Sequence, residues 1–390
     1  MITFKGYVRP DGKVGVRNYV VAIANASCAT GIINKIVAQV PEVVPLIHTD
    51  GCSAPGEYDR WRMFLHGIGD NPNIFATILI GVGCETDDAK EQAAIIAKNG
   101  KPIFAEIVQD DGGGEKVTQD AVEFAKKALV ESKKCKRTEV PLSNLILGTE
   151  CGGSDALSGL TANPVIGYVS DFVVNNGGTA ILTETTELIG TEDILYRRAI
   201  NKQVGDKIKK IIYDQEIAVR NVMGEGASRM IARGNMAGGM STIQEKSLGC
   251  IRKGGTTTIM DVIDYGEPVG NRKGLIIMDG PGYDPDSIAG EFASGAQVIC
   301  FSTGRGNPLG FPVAPVIKIC SNTITFEKVG GVGGDMDINA GAIITAGKSL
   351  EELGEEAVKY LLATINGRET MPEKHGYGGA LCVYSSTSPF

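Results

Sequence analysis

The sequence predicts an α/β protein made of two Rossmann-like three-layer domains with mostly parallel sheets. Short β-branched apolar runs alternate with stretches whose apolar residues recur at helical spacing, the pattern of a parallel sheet covered by helices on both faces. Hydrophobic residues make up 43% of the chain and aromatics only 6%, with 52 glycines, which suits Val/Ile/Ala cores joined by tight turns. At 390 residues the chain exceeds one ordinary core, so two compact domains are expected, with room for a third.

In the first third, strands are expected at Tyr19 to Ala24, Val44 to His48, Thr77 to Val82 and Ile103 to Ile107, with helices at Gly31 to Val40 and Asp87 to Lys98 between them. Asp120 to Ser132 reads as an amphipathic helix, and the polar stretch Lys133 to Pro141 as a linker. The division is placed at residue 137, giving domains 1–137 and 138–390. The pattern then restarts with strands at Leu145 to Gly148, Thr179 to Thr183, Leu275 to Met278, Val298 to Ser302 and Val316 to Ile319. Helices are expected at Asn163 to Asn175, Glu192 to Met223 and Leu350 to Ile365, and the glycine-rich Met223 to Gly255 as a loop over the site or a flexible connection.

A formal charge of -8 argues against nucleic acid or an anionic membrane as partner, because a phosphate-binding face needs clustered Lys and Arg. The opening residues carry no signal-like apolar core, and no run approaches the roughly 18 apolar residues of a membrane span. A cytoplasmic protein is therefore expected. In a reducing compartment its nine cysteines are buried small hydrophobes or thiolate ligands rather than disulfides.

Three expected strands run directly into a cysteine: His48-Thr49-Asp50-Gly51-Cys52, Gly81-Val82-Gly83-Cys84-Glu85 and Gly148-Thr149-Glu150-Cys151-Gly152. The carboxyl ends of strands form the ligand crevice of open α/β sheets, so Cys52, Cys84, Cys151 and Glu85 are candidate metal ligands, the alternative being ordinary buried thiols. Mixed thiolate, imidazole and carboxylate donors suit iron or zinc better than magnesium. His48 is a ligand, an acid/base group or a packing residue. Glu184, after the strand ending near Thr183, is the candidate general base, the alternative being a helix first turn; Glu150 is a second candidate. Phe301-Ser302-Thr303-Gly304-Arg305 combines backbone N–H groups with a guanidinium, so Thr303, Gly304 and Arg305, together with Ser154, are candidate substrate-binding residues. Lys246 and Lys318 are isolated cations, of which Lys246 joins the catalytic candidates. The glycine-rich segments lack the spacing of nucleotide loops, and Asp335 to Gly341 lacks the ligand spacing of a calcium loop.

These stretches, with Gly6 to Tyr19, Thr183 to Gly190, Gly238 to Gly255, Asp279 to Asp284 and Asp335 to Gly341, resemble the altronate and galactarate dehydratase family, which also includes the large subunit of sulfolactate sulfo-lyase. The resemblance covers nearly the whole chain. It implies elimination of water from a small hydroxylated sugar acid to give a 2-keto-3-deoxy acid. It also implies dependence on ferrous iron, with manganese or an iron–sulfur cluster as alternatives. The stretch His48-Thr49-Asp50-Gly51-Cys52-Ser53-Ala54 departs from the His-Pro-Tyr-Gly-Cys-Ser-Gln type of altronate dehydratases, which puts altronate itself in doubt. Full-length relatives begin with a small β-rich domain and this chain begins at their second domain, so a small β-rich partner subunit is expected, along with homo-oligomerisation. The competing readings are a carbon–sulfur lyase releasing sulfite from sulfolactate and a partner protein that has lost its site.

Overall fold

The computed structural model describes residues 2–52, 58–224, 230–379 and 381–384. Strands β1 (Thr3–Val8) and β2 (Val14–Gly15) pair antiparallel, and β1 also pairs with β7 (Thr138–Pro141). Between them lies a four-stranded parallel sheet of β3 (Tyr19–Ala24), β4 (Val44–Leu46), β5 (Ile74–Gly81) and β6 (Ile103–Ile107), in the order β4-β3-β5-β6. Its helices are α1 (Thr30–Gln39), α2 (Tyr58–Asp70), α3 (Ala89–Ile96) and α4 (Gly114–Lys134). The β1–β7 pairing ties the chain's start to residues just beyond the expected division at 137, and Phe4, Val14 and Val16 pack with Leu147, Val165 and Leu361 of the second half.

The second sheet is parallel and seven-stranded. It consists of β8 (Ile146–Cys151), β9 (Thr179–Leu182), β10 (Ile259–Ile263), β11 (Gly274–Met278), β12 (Val298–Thr303), β13 (Val316–Cys320) and β14 (Ile338–Asn339), in the order β10-β11-β9-β8-β12-β13-β14. Its strands are apolar almost throughout because both faces are covered, as in any parallel sheet built from crossovers. Helix α5 (Ala162–Asn175) and the helix Leu350–Ile365 cover one face. On the other side Ile181, Ile276 and Ile299 share one apolar core with Val21, Ile23 and Leu79 of the first sheet, with Phe64, Leu65, Ile288 and Phe292 between them. The two doubly wound units thus meet through a common apolar layer.

Two sequence expectations change. Glu192 to Met223 is two helices, α6 (Glu192–Arg198) and α7 (Lys202–Met223), because Asn201 takes an extended conformation and caps the second through Val204 N–H. Met223 to Gly255 is largely helical within its described residues: α8 (Arg233–Ala237) and α9 (Ile243–Cys250), the latter capped by Thr242 and running into a 3₁₀ turn at Ile251–Gly254. Its glycines make close approaches. Gly249 and Gly159 meet backbone to backbone, where a Cβ on either would have no room.

Candidate active site

In the seven-stranded sheet the chain leaves β8 for β9 on one side and later returns to β12 on the other, so the switch in strand order lies at β8. The carboxyl ends of these strands carry the densest group of buried charge in the described molecule. Glu150 and Cys151 end β8, and Glu184 and Glu187 follow β9. Asp284 and Glu291 come from α10 (Asp284–Ala293) across the crevice, while Lys246 and Cys250 come from α9 and Lys253 from the turn after it.

Glu184 is the only non-glycine residue with positive φ among the described residues, at 68°. That left-handed backbone costs about 1–3 kcal/mol and is held by a bond from Thr185 N–H to Gly280 O and one from Glu187 N–H to Glu184 O. The strain aims a fully buried carboxylate inward. Its Oε2 accepts from Cys151 N–H and pairs with the equally buried Lys253 ammonium, and the Glu184 and Glu150 carboxyl groups lie in hydrogen-bond contact. Burial, reinforced by the negative charge of Glu187, raises the Glu184 pKa to about 7 against the opposing pull of Lys253.

Glu150 accepts from Ser287 Oγ at 2.7 Å. Burial and the nearby Glu184 push its pKa well above the ordinary carboxylate value. Glu187 behaves oppositely. Burial would raise it, but Lys246 and Lys253 outweigh burial and hold it ionised, with Lys246 on one oxygen and the Cys151 and Cys250 thiols on the other. Asp284 is raised to about 6 by burial and Glu187, and Glu291 to about 8 by burial, although Thr149 N–H donates to it at 2.7 Å. Gly152 makes room for this packing: a Cβ there would sit 2.0 Å from an Asp284 carboxylate oxygen. A cavity of about 330 Å³ opens against Glu187 and Lys246, lined also by Asn235, Thr186, Tyr283 and Ile231.

Ligand atoms of Cys151, Glu187 and Cys250 lie within 4.8 Å of one another, as do those of Glu150, Glu184 and Asp284. A bare divalent cation fits this crevice poorly. Its carboxyl groups Glu184 and Glu187 already face buried ammonium groups, Lys253 and Lys246, and burial shifts Glu150 and the Cys250 thiol towards their neutral forms. Charge is balanced by lysine, and an added cation would meet both ammonium groups.

Other sequence candidates are placed differently. Cys52 and Cys84 belong to the edge of the four-stranded sheet and are exposed, so the structure does not gather them with the buried Cys151 into one ligand set. The Glu85 carboxylate is spent on its own loop, accepting from the N–H groups of Val82, Gly83 and Cys84 and from Asn25 Nδ2. His48 is a packing residue in this geometry. Its Nε2 bonds Ala24 O at 2.7 Å, its Nδ1 accepts from Asp50 N–H, its ring lies 4.6 Å from that of Trp61, and burial lowers its pKa. Both ring nitrogens are taken, leaving no proton for a leaving group. Thr303 caps its own turn through the N–H groups of Gly306 and Asn307, and Gly304 N–H bonds Gly153 O. Through Asn307, which donates to Asp284 at 2.6 Å, this turn holds one wall of the crevice. Arg305 is exposed on the turn, and the buried Ser154 hydroxyl has no partner. Lys318 is buried over the Phe301 ring, and burial drives its pKa far down. Lys253, Cys250 and Glu291 escape a sequence reading because their partners lie 63 to 142 positions away in the chain.

Two family models match the chain: D-galactarate/altronate dehydratase, C-terminal, over residues 142–387, and D-galactarate dehydratase/altronate hydrolase, second domain, over residues 6–133. Among curated relatives, altronate dehydratase of Bacillus subtilis is 33% identical, covering 96% of this chain and 76% of the relative. Galactarate dehydratase (L-threo-forming) of Escherichia coli is 32% identical, covering 98% and 76%. The beta subunit of (2R)-sulfolactate sulfo-lyase of Chromohalobacter salexigens is 31% identical, covering 96% and 95%.

Proposed function

The chain belongs to the D-galactarate/altronate dehydratase family, and we propose that it is a lyase subunit that eliminates water from a hydroxylated sugar acid to give a 2-keto-3-deoxy acid. Relatives named as dehydratases and a sulfo-lyase support the lyase class. Elimination needs a base for the proton α to the carboxylate and an acid for the departing hydroxide. The observation that carries the reading is the adjacent, buried pair Glu184 and Glu150, in hydrogen-bond contact with each other, with Glu184 raised to about 7 and Glu150 raised well above the ordinary carboxylate value by burial and the Glu184 charge. Two carboxyl groups whose environments push their titrations apart divide into base and acid.

Glu184 takes the α proton. The ammonium groups of Lys253 and Lys246 stand beside it and stabilise the negative charge that develops on the substrate carboxylate. Glu150 then gives its proton to the leaving oxygen. Arg305 and the Thr303–Gly304 turn, with Ser154, remain the proposed grip on the substrate's distal end. Replacing Glu184 by Gln should cut turnover at least about a hundredfold, the usual scale of general-base catalysis, with the fold intact by circular dichroism. Turnover within a few-fold of the parent would return Glu184 to a structural role.

A second reading has a specific observation behind it: a sulfo-lyase beta subunit is 31% identical over 96% of this chain, close to the 32–33% of the dehydratases. Sulfite release from sulfolactate, measured beside 2-keto acid formation from aldarates and aldonates, separates the two. Because that relative is named as a subunit, a companion polypeptide is part of the proposal, as is self-association.

A further inference from the structure

The four-stranded sheet has its own switch in strand order, at β3, with β4 on one side and β5 on the other. Each of these three strands is followed by a cysteine at its carboxyl end: Cys28 after β3, Cys52 after β4 and Cys84 after β5. Free cysteine is among the most buried residue types. Yet of the nine cysteines these three are the exposed ones, and the remaining six are buried or half-buried. Exposure and strand-end position select the same three residues.

The loops that carry them are laced together. Ser27 N–H, next to Cys28, bonds Asp50 O at 2.8 Å, and Gly51, next to Cys52, abuts Ala26 so closely that its Cβ would lie 2.3 Å from Ala26 Cα. Asn25 reaches the third loop, donating to Asp87 O at 2.6 Å and to Glu85 Oε1 at 3.2 Å. Glu85 in turn gathers three backbone N–H groups of the Cys84 loop and leaves the thiol outward. In βα units, helix amino termini sit at this same edge, here those of α1 and α3, and they favour an anionic group.

We propose that Cys28, Cys52 and Cys84 are the protein ligands of an iron–sulfur cluster. Three thiolates on separate loops suit a cluster, whose irons are spread apart, and the three sulfurs do not draw together as they would around one ion. In a four-iron cluster three protein thiolates would leave one iron without a cysteine. The buried crevice of the other sheet, with its charge balanced by Lys246 and Lys253, has no comparable set. Assembly takes two ferrous and two ferric ions with four inorganic sulfides and displaces three thiol protons, with no net change of oxidation state. The inference stands apart from the elimination reading, since its readout is cluster content.

The test is the full chain, purified without oxygen and reconstituted with ferrous and ferric iron and sulfide, assayed for iron, acid-labile sulfide, visible absorption and Mössbauer signal. The expected result is about four iron and four sulfide per chain with cluster absorption. Each of Cys28→Ser, Cys52→Ser and Cys84→Ser should lose at least nine-tenths of the sulfide while melting like the parent, because these side chains are exposed. Cys135→Ser and Cys151→Ser should keep the cluster. Parent protein without sulfide, a cluster retained in Cys28→Ser, or one lost in Cys151→Ser would each overturn the assignment. A cluster in a protein that eliminates nothing would sink the elimination reading alone.

Discussion

Glu184 joins three properties that seldom coincide in one residue: a left-handed backbone, complete burial and a titration near neutrality. As base it must be ionised, so kcat/KM should rise with pH up to about 7. It should fall at higher pH as Glu150, raised by burial and by Glu184, gives up its proton. A profile of kcat/KM flat across pH 6 to 8 would contradict the assignment, and in Glu184→Asp the rising limb should move. Glu291 makes a different prediction, about stability. Its folded pKa of about 8 exceeds the ordinary 4.5 because burial favours the neutral form. The folded state therefore holds a proton that the unfolded state releases first. The stabilisation is complete below about 4.5 and is lost as pH rises towards 8. Denaturant titrations of Glu291→Gln should show a shallower decline over that window than the parent; equal slopes would mean that Glu291 is ionised in the fold. At this scale the strand-end residues Glu150, Cys151 and Glu184 are legible from sequence because strand runs and their ends are local patterns. Their partners Lys253 and Asp284 are not, since only the crossover connections bring them there. His48 shows the converse: its position is legible, but its bonds to Ala24 O and Asp50 N–H are not.

Among the elements, α9 and the turn after it decide the site. A glycine-rich, weakly patterned stretch reads as loop, and periodicity could not show that Thr242 caps a helix whose end delivers Lys246, Cys250 and Lys253. Lys253 is fully buried and faces Glu184, so Lys253→Met leaves an uncompensated buried carboxylate. A loss of about 3–5 kcal/mol is expected in urea unfolding. A loss under about 1 kcal/mol would mean that Glu184 is already neutral and the pair is not ionic. Nine of the eleven strands of the two parallel sheets are readable to within a few residues, their β-branched runs being bounded by glycine and polar turns, with Tyr19–Ala24 and Ile103–Ile107 matching in full, whereas β10 and the two-residue β14 at the edges of the seven-stranded sheet were not expected. The small antiparallel sheet of β1, β2 and β7 was not, because β1 and β7 pair across more than a hundred positions of chain.

At the scale of the molecule, composition and alternating pattern suffice for the fold class, but not for the apolar layer through which the two sheets meet or for the separation of three exposed thiols from the buried charge. The carboxyl edges of the two sheets approach each other electrostatically. Burial and the charge of Asp50, in the Cys52 loop, together raise Asp286, in the first turn of α10, to about 6. A companion subunit should then raise turnover on mixing by closing water out of this region. Mixing without effect, at full activity of the chain alone, would remove the companion from the account. The claim on which all of this depends is the division of labour between Glu184 and Glu150, and exchange of the substrate's α proton with D₂O, followed by NMR beside product formation, addresses it directly. The account predicts that Glu184→Gln loses both exchange and elimination, while Glu150→Gln keeps exchange and loses elimination about a hundredfold or more. Parent-like α-proton exchange in Glu184→Gln would contradict it.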